Sequence, residues 1–372
     1  MSKLLIFNER WCSGGVESLW ANILAYSPES ALEIVIAVWQ KETNIYDSLL
    51  EKKNIRFIEI GNKFITNPIR RDILILKSLK KCFNQEKADI IHINVCNAIG
   101  LKYAKIARKA GCRHVVVHSH NTMIEHDRFK IKLAMHHVMR FLYAKQSVYR
   151  IACSTEAGEF LFGKKKNFEI LKNGVDLARF TFNEQMYKVM REKYHLSDDD
   201  FVVCHVGRFA KQKNHTYLIR LFAEIVRQRM NSYLFLAGEG PELNAIKDLV
   251  RELKLENKIY FLGTVTQVEN LYFMSDAFVL PSLHEGLPVV AVEAQATGLN
   301  CYLSDTISRE AGITKMCRFF SLSEDLGNIA QNIVAGAPLK DRKSAVLEIS
   351  DNGYSIKESS RKLFEFYRQI LD

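Results

Sequence analysis

Residues 277–296 read AFVLPSLHEGLPVVAVEAQA and contain an apolar run, a polar loop and a second apolar run in that order. The first run, Ala277–Leu280, is too short for a helix and suits a strand that is buried on both faces. Pro288 fits the first turn of a helix that runs through Ala296, because that turn does not need the amide that proline lacks. The stretch therefore predicts one strand–loop–helix unit of a parallel sheet.

Short apolar runs alternate with amphipathic stretches along the whole chain, which predicts an α/β fold. The predicted strands of the first half are Leu4–Phe7, Ile34–Trp39, Ile55–Ile60, Asp89–Ile93, His114–His118, Tyr149–Cys153 and Phe168–Leu171. Those of the second half are Phe201–Val206, Tyr233–Ala237, Ile259–Leu262, Ala277–Leu280, Asn300–Leu303 and Cys317–Phe320. Each set is large enough for one doubly wound sheet.

The two sets of strands predict two similar domains of Rossmann type, and a length of 372 residues can supply a core for each. A turn at Asn173-Gly174 and the polar residues 197–200 separate the two sets. We place the first domain over residues 1–175 and the second over residues 176–353, facing each other across an interdomain ligand cleft. Residues 354–372 are expected to form a closing helix that packs back on the first domain.

The composition excludes several classes of protein. A hydrophobic fraction of 48% with only six prolines and eighteen glycines excludes a mainly disordered chain. No apolar run approaches the ~18 residues of a membrane span, and the N-terminus lacks a signal-peptide pattern, so we expect a cytoplasmic protein. The eight cysteines are scattered singly, which predicts neither a zinc-ligand set nor a disulfide framework.

The excess of positive charge belongs to the first half of the chain. Residues 1–180 contain 29 Lys and Arg against 17 Asp and Glu, a net charge of +12, whereas residues 181–372 have a net charge of −2. This asymmetry predicts an anionic partner for the first half, which is a nucleic acid, an acidic substrate or an anionic membrane surface. Basic residues are not interleaved with aromatic ones as in stacking surfaces, so we expect no nucleic-acid partner.

A basic amphipathic helix is predicted to begin near residue 128. Residues 128–133 read RFKIKL, and one apolar stripe consists of Ile131, Met135, Val138 and Leu142. Such a helix can lie on the anionic inner face of a cell membrane. The same stripe is typical of a helix that packs on its own sheet, so both interpretations stay open.

Two loops of the second half carry residues that suit a phosphorylated ligand. Arg208 and Lys213 follow a predicted strand directly, and a guanidinium with a mobile ammonium can hold a diphosphate. The free amides of the helix that begins after Gly286 form a second anion site. Glu285 and Glu293, eight positions apart, can each accept a pair of hydroxyl hydrogen bonds from a ribose or a pyranose.

These two loops belong to a series of motifs that follow one another in the second half of the chain. The series consists of Gly207-Arg208 with Lys213, Gly238-Glu239-Gly240-Pro241, Phe261-Leu262-Gly263 and the pair Glu285 and Glu293. Over about residues 170–305 it resembles the motifs of retaining, GT-B-fold glycosyltransferases of family 4. In the first half, Gly14-Gly15-Val16-Glu17, His92 and His118-Ser119-His120-Asn121-Thr122 resemble members that build capsular and extracellular polysaccharides. Family members commonly have proline at the position of Asn300. Because Asn300 only begins a strand, this difference does not alter the expected activity.

The resemblance implies a role for each matched residue. Arg208 and Lys213 would neutralise the donor diphosphate, Glu293 would bind the nucleotide ribose, and Glu285 would hold hydroxyls of the transferred sugar. The other donor-binding candidates are Gly14, Gly15, Gly207, Val265, Gly286, Leu287 and Pro288. Val265 is a weaker candidate than the others and would line the nucleobase pocket. His118 would face the cleft near the donor sugar. Alternatively, His118 is a structural histidine at the end of its strand. A zinc site formed by His118 and His120 is not expected, because no third ligand lies nearby.

The expected reaction moves a sugar from a nucleoside-diphosphate-sugar, UDP rather than GDP, to a glycan or lipid-linked acceptor in cell-surface polysaccharide biosynthesis. The resemblance implies retention of the anomeric configuration, with a donor phosphate oxygen taking the acceptor proton. Because cationic side chains and helix amides would stabilise the leaving group, we expect neither a metal nor another cofactor. Two alternatives stay open, a GT-B nucleotide-sugar epimerase and a non-catalytic nucleotide-sugar-binding partner of a polysaccharide assembly complex.

Overall fold

The computed structural model describes residues 2–12, 14–28, 32–61, 67–122, 129–336 and 341–372. It divides the chain into two compact units. Unit 1 comprises Met1–Gly174 and Ile356–Asp372, and unit 2 comprises Val175–Ser355. The C-terminal segment of the chain is therefore part of unit 1.

The described strands and helices follow each other in the order expected of an α/β protein. The strands are β1 Ser2–Trp11, β2 Leu32–Lys41, β3 Arg56–Glu59, β4 Ile90–Val95, β5 His114–Ser119, β6 Tyr149–Ala152, β7 Glu169–Ile170, β8 Phe201–Val206, β9 Ser232–Ala237, β10 Ile259–Gly263, β11 Ala277–Leu280, β12 Asn300–Ser304 and β13 Cys317–Phe320. The helices are α1 Gly15–Ala25, α2 Asp47–Leu50, α3 Pro68–Glu86, α4 Leu101–Lys109, α5 Phe129–Tyr143, α6 Thr155–Phe162, α7 Leu177–Phe180, α8 Glu184–Lys193, α9 His215–Gln228, α10 Leu243–Glu252, α11 Val268–Met274, α12 Val289–Ala296, α13 Leu326–Val334, α14 Ala345–Asp351 and α15 Ile356–Leu371.

Unit 1 is built on a parallel sheet with the strand order β3-β2-β1-β4-β5-β6-β7. Alternate residues of the central strands point to opposite faces, so each face carries its own apolar core. Leu5 and Phe7 of β1 belong to the core on one face, which includes residues of α3, α4 and α6. Leu4 and Ile6 belong to the core on the other face, with residues of α1 and α15. The chain order reverses between β1 and β4, where parallel sheets commonly bind ligands at their carboxyl ends.

Unit 2 repeats this plan with six parallel strands in the order β10-β9-β8-β11-β12-β13. Two cores lie on its two faces, one including residues of α12 and the other including residues of α9. The order of strands reverses between β8 and β11, and the two loops singled out in the sequence follow these two strands. The sheet therefore brings together loops that are about 75 residues apart in the chain.

The thirteen predicted strands are confirmed, with differences at their ends. β1 extends from Ser2 to Trp11, beyond the predicted Leu4–Phe7, because it pairs with β2 along almost its whole length. The predicted strand–loop–helix unit is confirmed as β11 and α12, but Pro288 caps the helix and Val289 is the first helical residue. The predicted α/β fold of two doubly wound sheets is confirmed.

Candidate functional site

In unit 2 the loops after β8, β9 and β10 are packed against one another without intervening side chains. Gly238 has a φ of +137°, and a Cβ atom there would collide with the carbonyl oxygen of Gly207. The Phe209 amide donates to the carbonyl of Glu239 at 3.0 Å, and the Gly238 amide donates to the carbonyl of Gly263 at 2.7 Å. Glycines are needed here because the backbones approach so closely.

Lys213 and Glu285 meet at the carboxyl edge of this sheet. Lys213 Nζ lies 2.6 Å from Glu285 Oε1, and the two side chains are only 16% and 13% exposed. The Ser282 hydroxyl donates to the same carboxylate oxygen at 3.1 Å. A Cβ atom on Gly207 would lie 3.2 Å from the aliphatic carbons of Lys213, so the lysine stem passes directly over that glycine. An ammonium and a carboxylate are thus held side by side.

Gln212 ties the two loops together, and sequence analysis missed it. Its carbonyl accepts from the Leu283 amide at 2.7 Å, and its side-chain amide donates to the carbonyl of His284 at 3.0 Å. A glutamine between two lysines resembles an ordinary solvated loop residue, so no local signal identifies it. Its role is positional, because it holds the Lys213 loop against the Glu285 loop.

The segment from Ser282 to the start of α12 presents backbone amides. Ser304 and Thr306 donate from their hydroxyls to the Ser282 carbonyl at 2.5 and 2.7 Å, which anchors the segment. Within the described part of the chain, no acceptor is bonded to the backbone amides of three neighbouring residues, Gly286, Leu287 and Val289. Leu287 and Pro288 are buried, and Gly286 is half-buried. Unpaired amides at the start of a helix attract anions.

Glu293 lies within α12 and has a buried tyrosine as its partner. The Tyr272 hydroxyl donates to Glu293 Oε2 at 3.3 Å. Burial raises the pKa of the Glu293 carboxyl to about 7, and the nearby positive charge of Arg179 opposes this shift. Arg179 is itself held by Glu269, with an Nε–Oε2 distance of 2.8 Å. Neither Tyr272 nor Arg179 was singled out in the sequence, because both act across long sequence separations.

The remaining predicted residues of unit 2 are not joined to the Lys213–Glu285 pair. Arg208 is exposed, and among the described residues its side chain makes no hydrogen bond or ion pair. Val265 is half-buried and packs against the core beside α12. The structure thus brings Lys213 and Glu285 into direct contact and leaves Arg208 pointing to solvent.

In unit 1 a row of buried polar side chains lies at the carboxyl ends of the strands beside the order reversal. His92 Nε2 lies 3.2 Å from His118 Nδ1, and the rings of His118 and His120 are 4.0 Å apart. His120 Nε2 is bonded to Asn94 Oδ1 at 2.8 Å, and Asn94 donates to Asn8 Oδ1 at 2.6 Å. Burial lowers the pKa of all three histidines, that of His120 to about 3, so they are neutral at pH 7.

His92 is a third imidazole beside His118 and His120, but it is not placed as a third metal ligand. Both ring nitrogens of His92 are already hydrogen-bonded, to His118 and to the hydroxyl of Tyr367. Within the part of the chain that the structure describes, no group of three or more His, Cys, Asp or Glu could hold a metal ion.

Gly14 and Gly15 stand at the start of α1. Gly14 is the residue before the helix, and a Cβ atom there would collide with the Glu17 carboxylate. Gly15 is exposed, and a Cβ atom on it would meet nothing within 4 Å. Glu17 is buried, which raises the pKa of its carboxyl to about 7. Ser13, the residue that precedes this pair, lies outside the described residues.

The apolar stripe of α5 faces solvent. Ile131, Met135, Val138 and Leu142 are exposed, so the interpretation that this stripe packs on the sheet is wrong. The same helix packs inward through Met139 and Tyr143, which contact the core of unit 1. Arg128 of the predicted basic segment lies outside the described residues. No helix in the described ranges has both the length and the apolar character needed to cross a membrane.

Comparison with known proteins identifies the family. Residues 13–179 match the model of Glycosyltransferase Family 4, and residues 187–344 match that of Glycosyl transferases group 1. A Bacillus subtilis (strain 168) protein named glycosyltransferase EpsF is 30% identical over 95% of this chain and 93% of its own. An Escherichia coli UDP-Gal:alpha-D-GlcNAc-diphosphoundecaprenol alpha-1,3-galactosyltransferase is 29% identical over 63% of this chain and 62% of its own.

Solved structures agree on the fold. Anabaena HepE, solved in complex with UDP-glucose, superimposes with a TM-score of 0.78 at 19% identity, covering 99% of this chain and 100% of that one. WaaG, a glycosyltransferase of lipopolysaccharide biosynthesis, superimposes with a TM-score of 0.69 at 13% identity, over 96% of this chain and 94% of that one. Since a family model matches each half and a 30% identical relative spans nearly the whole chain, this protein belongs to the family 4 and group 1 glycosyltransferases of GT-B fold.

Proposed function

We propose that this glycosyltransferase transfers a sugar, with retention of configuration, from a UDP-sugar to a glycan or lipid-linked acceptor of a cell-surface polysaccharide such as a capsule or exopolysaccharide. The observation that carries the proposal is the Lys213–Glu285 pair beside the unpaired amides of Gly286 and Leu287. The ammonium and the amides suit phosphate oxygens, and the carboxylate suits sugar hydroxyls. A sugar diphosphate needs all three kinds of partner within a few ångströms.

The chemistry follows from the charge that develops in the transition state. The bond from the anomeric carbon to the donor phosphate oxygen breaks, and both electrons leave with the nucleoside diphosphate. The acceptor hydroxyl attacks from the same face and forms the new bond, while its proton passes to a phosphate oxygen of the leaving group. Lys213, Arg208 and the amides before α12 stabilise the growing negative charge, which is the task that a divalent metal performs elsewhere. We therefore propose catalysis without a metal or another cofactor.

The remaining candidate residues have the roles that family membership implies. Glu293 binds ribose hydroxyls, and Val265 lies at the edge of the base. His118 and the Gly14-Gly15 loop act on the sugar or the phosphates from unit 1. The names of relatives support the donor and the acceptor, since one is named for UDP-Gal and a diphosphoundecaprenol-linked acceptor and another was solved with UDP-glucose. An acceptor of this kind carries a long lipid and is reached at a membrane.

We further propose that unit 1 contacts an anionic membrane through α5, at the inner face of the cell membrane. Five apolar residues of α5 are exposed in one helix, namely Ile131, Met135, Val138, Phe141 and Leu142. Lys132 and Lys145 flank this surface and are exposed as well. An amphipathic helix with lysines beside an apolar face suits a bilayer that carries acidic lipids.

Titration with nucleoside diphosphates tests the donor site. UDP at one hundred times its Kd stabilises the folded protein by about 2.7 kcal/mol, which raises the unfolding midpoint of a unit of this size by about 5–10 °C. Lys213→Ala removes a charged hydrogen-bond donor worth about 1.5–3 kcal/mol, so the Kd for UDP rises at least about tenfold. Lys211→Ala is the matched control, because Lys211 is exposed on the same loop.

Three results would count against this proposal. Stabilisation by GDP but not UDP would overturn the nucleotide assignment, and the absence of any response would overturn the donor site. Conversion of a UDP-sugar to its epimer without transfer would favour an epimerase. Unchanged polysaccharide output in cells that carry only the Lys213→Ala variant would favour a non-catalytic binding partner.

A further inference from the structure

A chain of hydrogen bonds connects the C-terminal helix with His118. The Tyr367 hydroxyl of α15 lies 2.7 Å from His92 Nδ1 on β4, and His92 Nε2 lies 3.2 Å from His118 Nδ1 on β5. The three side chains are fully buried on the sheet face that α1 and α15 cover. Among the described residues, the other ring nitrogen of His118, Nε2, has no hydrogen-bond partner.

The direction of these hydrogen bonds can be worked out from which buried atoms each direction satisfies. If the Tyr367 hydroxyl donates to His92 Nδ1, then His92 carries its proton on Nε2 and donates to His118 Nδ1. His118 then carries its own proton on Nε2, and that group alone is left without a protein partner. In the reverse direction two groups are unsatisfied, the Tyr367 O–H and the His118 Nε2 lone pair.

The first direction is therefore favoured, because each unpaired buried polar group is unfavourable. Burial also lowers the pKa of both histidines well below the usual range, so each ring carries one proton at neutral pH. For a neutral imidazole, the position of that one proton decides whether the free nitrogen donates or accepts.

We infer that Tyr367 and His92 are positioning residues that keep the proton of His118 on Nε2, so that His118 offers its ligand a hydrogen-bond donor. The inference rests on the proposed function in one respect, that the ligand of His118 is the transferred sugar. Its donor then meets an oxygen atom of that sugar. The C-terminal helix thus contributes to the site through a tautomer, without touching the ligand.

His120 supplies an internal reference for this arrangement. Its Nε2 faces the Asn94 side-chain oxygen at 2.8 Å, so its proton also lies on Nε2, but Tyr367 plays no part in that bond. A change at Tyr367 should alter the tautomer of His118 and leave that of His120 as it is.

Nitrogen-15 NMR of the imidazole rings in the full-length protein at pH 7 reads these tautomers directly. We expect His118 of the wild type to be protonated on Nε2. In Tyr367→Phe the two directions leave equal numbers of unsatisfied groups, so we expect a mixture of the two His118 tautomers. Tyr103→Phe is the matched control, because it removes one hydrogen bond of a buried tyrosine, to Glu9, on the opposite face of the sheet. In that control the His118 tautomer stays unchanged.

Measurements of the rate of sugar transfer test whether the tautomer of His118 matters for activity. Because an equal mixture keeps about half of the molecules in the Nε2 tautomer, we expect Tyr367→Phe to lower kcat by about twofold while Tyr103→Phe leaves it unchanged. His92→Gln provides a second variant, since its amide can accept from Tyr367 and donate to His118. We expect His92→Gln to keep the Nε2 tautomer and most of the activity that Tyr367→Phe loses.

Several outcomes would overturn the inference. They are a wild-type His118 protonated on Nδ1, a tautomer that is the same in Tyr367→Phe as in the wild type, loss of the Nε2 tautomer in His92→Gln, and an unchanged kcat in Tyr367→Phe. Failure of the proposed function is separate, because it appears as a wild type that transfers no sugar while the NMR result still reports the tautomer.

Discussion

At the scale of single residues, Glu293 has an altered acidity that bears on its proposed role. Its pKa is raised from 4.5 to about 7 because the carboxyl is buried in α12, with the Arg179 charge opposing the shift. The ionised carboxylate can accept a hydroxyl hydrogen bond on each of its two oxygens, whereas the protonated carboxyl donates from one of them. The affinity for UDP should therefore rise as the pH increases from about 6 to 8, and the rise should be smaller in Glu293→Gln, where only the terminal phosphate of UDP still titrates in this window. Isothermal titration at several pH values measures it.

The raised pKa of Glu293 also makes the free energy of unfolding depend on pH. A carboxyl whose pKa is raised on folding stabilises the protein fully below the unfolded pKa of about 4.5, and this contribution is lost as the pH rises through about 7. The difference amounts to about 3 kcal/mol. Glu293→Gln should flatten the pH dependence of unfolding in this window, whereas Glu256→Gln, at an exposed position, should not. Equal profiles for the two variants would contradict the shift.

The sequence is sufficient to predict some residues of the candidate site and not others. Lys213 and Glu285 could be found because each follows a strand that apolar periodicity predicts. Gln212, Tyr272 and Tyr367 could not be found, since their partners are 21 to 275 residues away and only the folded sheet brings them close.

At the scale of elements, one arginine joins the ends of two helices in unit 2. Arg342 donates to the carbonyls of Tyr272, Phe273 and Ser275 at the end of α11, and to that of Thr297 after α12, at 2.9–3.1 Å. The final carbonyls of a helix lack partners within it, so this guanidinium satisfies them. Burial lowers the pKa of Arg342 to about 10, which leaves it charged at neutral pH.

Replacing Arg342 should therefore weaken unit 2 strongly. Arg342→Ala leaves four carbonyls without this donor, and we expect the free energy of unfolding to fall by about 3 kcal/mol. Differential scanning calorimetry should then record a midpoint lower by about 6–12 °C. Lys343→Ala, at the exposed next position, should change the stability by less than about 0.5 kcal/mol. A loss of similar size in both variants would contradict the role of the guanidinium.

Helix α5 illustrates what periodicity leaves undecided. Its exposed stripe has the same spacing as a buried one, so the sequence predicts the helix but not the direction of that face. The direction is set by His136, which accepts from the Ala98 amide at 3.1 Å and is bonded to the Phe160 carbonyl at 3.0 Å. These two bonds turn Met139 and Tyr143 toward the core and leave the stripe outside.

At the scale of the whole molecule, the two units share one architecture but differ in charge. Both are doubly wound parallel sheets, yet the basic excess lies in residues 1–180, most of unit 1. The excess is not needed for folding, because unit 2 forms the same kind of sheet from a sequence with a net charge near zero. A charge of +12 that the fold does not require points to a partner outside the chain.

Vesicle binding tests whether that partner is a membrane. We expect the full chain to sediment with vesicles of phosphatidylglycerol and phosphatidylcholine, and less so as NaCl is raised, because salt screens the attraction of each lysine to acidic lipids. Phe141 is 82% exposed and Leu142 62% exposed, so Phe141→Ser with Leu142→Ser should weaken partitioning at least about tenfold.

Met230→Ser supplies the control for these vesicle measurements, because Met230 is an equally exposed apolar residue of unit 2 and should not contact the bilayer. Its partitioning should match that of the wild type. Equal binding to pure phosphatidylcholine would show that acidic lipids are not recognised. Equal losses in the α5 variant and in Met230→Ser would mean that exposed apolar area in general, and not the face of α5 with its flanking lysines, brings this protein to lipid.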